Sequence, residues 1–166
     1  MTIRSAKLLG LALKAAGAGT LLMLSVSASH AQSAPFAGFD GNWSGTGTVT
    51  MSDGSSERIR CRASYKVGGS GTALEQSLRC ASDSYKFDLA ANVTSQGNNV
   101  SGSWSEASRN VYGNLNGKAG GGQIDVFVEA AGFAANITLT TKGNKQNVSI
   151  SSKGEIRGVS ISMTKG

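Results

Sequence analysis

From Phe39 onward the chain alternates apolar and polar residues with period two almost throughout, and no helical period competes with it. Trp43, Gly45, Gly47, Val49 and Met51 alternate with Ser44, Thr46, Thr48 and Thr50. Ile59, Cys61, Ala63, Tyr65 and Val67 alternate with Arg58, Arg60, Arg62, Ser64 and Lys66. The same beat runs through Tyr85–Val93, Val100–Trp104, Phe133–Leu139 and Val159–Met163. Successive strand side chains point to opposite faces, so each stretch has one apolar and one wet face.

The breaks in the pattern are turn chemistry. Asp53-Gly54, Ser70-Gly71, Gln96-Gly97-Asn98, Gly120-Gly121-Gly122, Gly143-Asn144 and Lys153-Gly154 supply residues that tolerate positive φ. They predict about ten short antiparallel strands joined in order. An open meander of that length would leave two raw edges, and no internal proline guards one. The expectation is therefore an all-β fold, an up-and-down meander closed or nearly closed into a barrel, with a β-sandwich as the alternative. Glycines on the apolar face (Gly45, Gly47, Gly102, Gly113) fit strong coiling or close backbone approach, and equally room for a pocket. An outer-membrane barrel also alternates, but it needs aromatic girdles, and aromatics are only 6% of this chain.

The N-terminal segment reads as an address. Arg4, Lys7 and Lys14 precede an apolar run centred on Leu21-Leu22-Met23-Leu24, and Ser29-His30-Ala31 supplies a small-x-small cleavage pattern. The expectation is a signal peptide over 1–31, cut near Ala31-Gln32, then a flexible arm over 32–39 and a single barrel-like domain over 40–166. The destination is the periplasm or the outside, with no membrane span in the mature chain. The full chain carries +6; three of its cations and no anion lie in the leader, so the mature part is +3, too mild for a nucleic-acid binder. The one histidine, His30, leaves with the leader. That removes His bases, His metal sites and Ser-His-Asp or Cys-His nucleophiles, so no enzyme activity, no metal and no cofactor is expected.

A turn centred on Ser70-Gly71 makes residue i face residue 141 − i. Val67 then meets Leu74, Tyr65 meets Gln76, Lys66 meets Glu75, and Cys61 meets Cys80. A Cys61–Cys80 disulfide follows, closing a loop worth about 3 kcal/mol. Two features strain the pairing: Arg62 would oppose Arg79, and a two-residue loop would put the cysteines at a hydrogen-bonded pair. A bulge or a longer loop relieves both.

Two sets of side chains are candidates for function. Arg58, Arg60 and Arg62 share one face, with Lys66 beyond and Arg79 on the neighbouring strand, a basic stripe suited to anionic polysaccharide, lipid head groups or an acidic protein; the plain reading is a solvated face that discourages edge pairing. Trp43, Tyr65, Gln76, Trp104 and Glu106 have inward parity and would line a barrel interior, where Glu106 is either a ligand anchor or a carboxylate past the strand end.

The opening Gly41-Asn42-Trp43 resembles the Gly-x-Trp start of calycin barrels: lipocalins, avidins and bacterial metalloprotease inhibitors. That resemblance implies a tryptophan plugging the closed end, with a basic residue late in the last strand, where Lys165 stands. The inhibitors among them also carry an N-terminal arm, which Gln32–Phe39 would be. Across most of the mature chain, segments such as Leu78-Arg79-Cys80-Ala81-Ser82-Asp83-Ser84-Tyr85 and Gly102-Ser103-Trp104-Ser105-Glu106 resemble uncharacterised exported β-rich proteins of alphaproteobacteria, a family that implies no mechanism. The expected role is an exported, non-enzymatic binding or interaction module, holding a small apolar ligand in the barrel or engaging an exported protein. The alternatives are inhibition of a protease or other enzyme through the arm, and a structural place in the envelope.

Overall fold

The computed structural model describes residues 34–166; the expected leader and the first residues of the arm lie outside them. Ten antiparallel strands follow one another in chain order: β1 (Gly41–Met51), β2 (Ser56–Gly68), β3 (Ala73–Ala81), β4 (Lys86–Gln96), β5 (Asn99–Glu106), β6 (Val111–Gly120), β7 (Gln123–Ala130), β8 (Phe133–Lys142), β9 (Lys145–Ser152) and β10 (Ile156–Lys165). Each pairs with the next, and β10 pairs with β1, so the sheet is a closed barrel with no free edge. Each expected turn falls between strands, and Gly120↔Gln123 brackets a two-residue hairpin whose Gly121 and Gly122 both have φ near +60° to +80°.

The apolar parity faces inward. Val49, Ile59, Leu74, Leu78, Ile161 and Met163 are buried, while their Ser, Thr and Arg neighbours face outward. This is the reverse of a lipid-facing barrel. The inward glycines serve coiling: a Cβ on Gly45 would run into the carbonyl oxygen of Ser162, and one on Gly102 into that of Asn92. They let neighbouring strands approach at barrel corners rather than clearing space for a ligand.

Cys61 and Cys80 are disulfide-bonded, in the 141 − i register. The connection is the longer one: Gly68↔Ala73 closes a loop of Gly69, Ser70, Gly71 and Thr72. Two extra residues reverse the ladder's parity, and the cysteines stand with Cα atoms 4.1 Å apart, the narrow spacing of a non-hydrogen-bonded pair. Arg62 does oppose Arg79, without a bulge, and Arg79 turns away to Asp88 on β4 (Nε–Oδ2 3.2 Å).

One end of the barrel is made by the start of β1, the end of β10 and the four loops from β2–β3 to β8–β9. We call it the arm end, and the opposite one the far end. The described part of the expected flexible arm does not hang free. Ala34–Asp40 turns back across the arm end and buries Phe36 and Phe39 completely. Phe36 N–H donates to Gly71 O (3.3 Å), and Val67 N–H donates to Asp40 Oδ1 (3.0 Å). Two phenyl rings give the segment enough apolar area to offset its ordering.

Candidate functional site

The inward candidates fall on two cross-strand rows that climb from the arm end to the far end. Lys165, Trp43, Ala63, Leu78, Leu89 and Glu106 are successive register partners. So are Tyr65, Gln76, Ala91 and Trp104. Tilted strands bring these residues into line although they are scattered in sequence. The rows do not gather them into one site: Trp43 and Tyr65 lie at the arm end, Trp104 and Glu106 toward the far end.

At the arm end Trp43 is buried, its indole N–H donates to Phe39 O (2.9 Å), and the Lys165 ammonium sits 5.6 Å from the ring centre. Tyr65 O–H donates to Gln146 Oε1 (2.9 Å), and Gln146 Nε2–H donates to Thr141 Oγ1 (3.0 Å). Burial pushes the Tyr65 phenol well above its ordinary pKa. Gln146 is 1% exposed and escaped the sequence reading. Its parity with Val148 and Ile150, extended one step back along β9, was the available signal. Gln76 faces the interior half-buried between Tyr65 and Ala91, in unbroken register rather than at a bulge.

Glu106 is a fastener for the β5–β6 turn. Its Oε1 accepts the amides of Asp88 (2.9 Å) and Ser108 (3.2 Å), and its Oε2 accepts the amide of Arg109 (2.8 Å). Burial pushes the carboxyl pKa up, but these hydrogen bonds outweigh it and hold the group below the ordinary carboxylate range. A carboxylate whose lone pairs are filled by its own turn is not a ligand anchor. Around it the far end carries half-buried rings. Trp104 meets Phe133 edge-to-face at 5.6 Å, Tyr85 stacks on Phe87 at 6.4 Å, and the Arg109 guanidinium lies 5.1 Å from the Phe87 centre.

The basic stripe is on the outer wall. Arg58, Arg60, Arg62 and Lys66 are all exposed along β2, with Glu75 opposite Lys66. Ser44, Thr46, Arg60, Arg62, Ser77 and Arg79 border an open groove across β1–β4, which Lys86 and Asp88 also line. Among the described residues only Arg79 of the four arginines has an ion-pair partner. Arg58, Arg60 and Arg62 therefore keep their charge unpaired beside a floor of small hydroxyl residues, an arrangement that attracts anions.

No family model matches the chain, and no curated protein matches it. The resemblance to exported alphaproteobacterial proteins thus gains no family to rest on. Among solved structures the chain is similar to Rv2717c from M. tuberculosis, with a TM-score of 0.63 at 10% identity over 78% of this chain and 94% of that one. At that identity the likeness is one of fold.

Proposed function

We propose that the protein is a non-enzymatic binding module that engages an anionic partner through the outer wall of β1–β3. The observation that carries this reading is the juxtaposition of Arg62 and Arg79 at one register position with only Arg79 paired to a carboxylate. Arg79 relieves the like-charge contact by turning to Asp88, and Arg62, with Arg58 and Arg60 on the same face, is left for an incoming anion. The disulfide, together with the lack of a long apolar helix among the described residues, fits an exported protein.

Retention on immobilised sulfated dextran at rising salt tests the reading. The triple variant R58S/R60S/R62S should elute well before the parent. A control with the same charge change elsewhere, K142S/K145S/K153S, should elute close to it. Equal shifts in the two triples would show that net charge alone sets retention, and would end the claim for this wall.

A second reading, a small apolar ligand inside the barrel, draws on the row of half-buried inward residues Gln76, Ala91 and Trp104. Mass spectrometry of protein purified without denaturation should then show a stoichiometric small molecule. Inhibition through the arm draws no support from its geometry, since Phe36 and Phe39 would have to leave the core before the segment could enter an enzyme's cleft.

A further inference from the structure

We infer that the anion on this wall is a linear acidic polysaccharide lying along β2, an inference that rests on the anion-binding reading above. The ladder supplies the geometry. Arg58 stands opposite Thr48, Arg60 opposite Thr46, and Arg62 opposite Ser44. Behind those hydroxyls, on β10, stand Ser160, Ser162 and Thr164. Same-face residues repeat about every 7 Å along a strand, and neighbouring strands lie about 4.8 Å apart. A row of guanidinium groups therefore runs parallel to two rows of hydroxyls.

The matching occupant carries negative groups at intervals along one edge and neutral hydrogen-bonding groups along the other. Acidic sugar polymers have that make-up: carboxylates or sulfates set on a backbone of hydroxyls. Guanidinium forks take such oxyanions through paired N–H donors. Ser and Thr hydroxyls both donate and accept, as sugar hydroxyls do.

Other polyanions find less here. Single-stranded nucleic acid binds through aromatic platforms for its bases. The aromatics that border the groove, Trp43 and Phe87, belong to the inward parity, with Trp43 buried and Phe87 half-buried. Protein interfaces draw their hot spots from Trp and Tyr together with Arg, and amphipathic membrane binders add buried apolar area to electrostatic attraction. Among the described residues the exposed large apolar side chains are Tyr112, Phe127 and Phe133, on β6, β7 and β8, away from this wall.

Calorimetric titration of the purified protein with polygalacturonate oligomers tests the inference. Carboxyl-reduced oligomers of the same length, poly-glutamate and a single-stranded oligonucleotide serve as comparators. Polygalacturonate should bind most tightly, and R58S/R60S/R62S should weaken it at least roughly tenfold, the scale of losing charge-assisted hydrogen bonds. T46V/T48V removes hydroxyls and leaves every cation in place; it should weaken polygalacturonate and spare poly-glutamate. Circular dichroism establishes that both variants keep the parent fold. If poly-glutamate or the oligonucleotide binds as tightly as polygalacturonate and T46V/T48V changes nothing, the polysaccharide assignment falls and the anion-binding wall stands. If the carboxyl-reduced oligomers bind equally well, or if no polyanion binds, both fall.

Discussion

The two ends of the barrel are held by different chemistry. At the arm end the chain itself is the plug: Phe36 and Phe39 are buried, Trp43 hangs from Phe39 O, and a fully buried hydrogen bond joins the neutral pair Tyr65 and Gln146. Among the described residues no segment crosses the far end in this way. Its rings stay half-buried or, like Phe133, 37% exposed, and its turns are fastened by carboxylates: Asp53 to Ser55, Glu57 to Ser84, Glu106 to the β5–β6 turn. Closing a meander removes the sheet edges but leaves two openings. The stability of the arm end should therefore lie in apolar burial, and that of the far end in short-range hydrogen bonds to charged groups.

The largest expected effect separates the ends directly. F39A removes a ring with no exposure and deletes its edge-to-face contact with Tyr65, and should cost about 3–5 kcal/mol. F133A removes a ring already partly in water, and should cost about 0.5–1.5 kcal/mol, chiefly its contact with Trp104. Urea midpoints of the two variants, with the disulfide intact, measure the difference. Equal losses would mean that the arm segment is not the seal its burial implies.

A smaller effect sharpens the account of the arm end. Y65F keeps the ring and leaves Gln146 Oε1 without its donor in the interior, which should cost about 1–3 kcal/mol. Y65F/Q146L removes both partners and should recover part of that loss, since the cost lies in the orphaned acceptor more than in the missing bond. The double-mutant cycle over the two positions reads this coupling.

Much of this contrast was legible in the sequence, for reasons that differ residue by residue. The barrel and the 141 − i register followed from parity, because a strand's two faces are fixed once its phase is known. The cysteine pairing followed from the same arithmetic, although the loop length, and with it the kind of pair, did not: Gly69 and Thr72 carry no signal separating a two-residue from a four-residue turn. The inward glycines were ambiguous, since absence of a side chain suits both a pocket and a close strand. Only the placement of Ser162 O and Asn92 O decides between them. The burial of Phe36 and Phe39 is not legible in the sequence, because a short segment with proline and two phenylalanines has no period, and its burial depends on an opening that exists only once ten strands have closed. Glu106 showed its inward parity but not its partners, which are backbone amides brought in by β4 and by its own turn.

Acid should divide the two ends most finely. Hydrogen bonds hold three far-end carboxyls below their ordinary pKa: Asp53 chiefly through the Ser55 hydroxyl and amide, Glu57 through the Ser82 hydroxyl and the Ser84 amide, and Glu106 through the amides of its turn, against the opposing push of burial. A carboxyl whose folded pKa is depressed stabilises the fold at pH values above its unfolded pKa, about 3.9 for Asp and 4.3 for Glu. That contribution drains away as pH falls through the folded value. Stability should therefore be flat from neutral pH to about 5 and decline below about 4. E106Q should be less stable than the parent at neutral pH and should lose less on acidification. Amide exchange, expressed as protection relative to the unfolded chain, locates the change. Asp88, Ser108 and Arg109 should lose protection in acid before Phe36 and Lys165 do, because those two arm-end amides are held by backbone carbonyls, which do not titrate. Simultaneous loss at both ends would mean that the barrel opens as one unit, and the division between apolar seal and carboxylate fastening would have no separate energetic meaning.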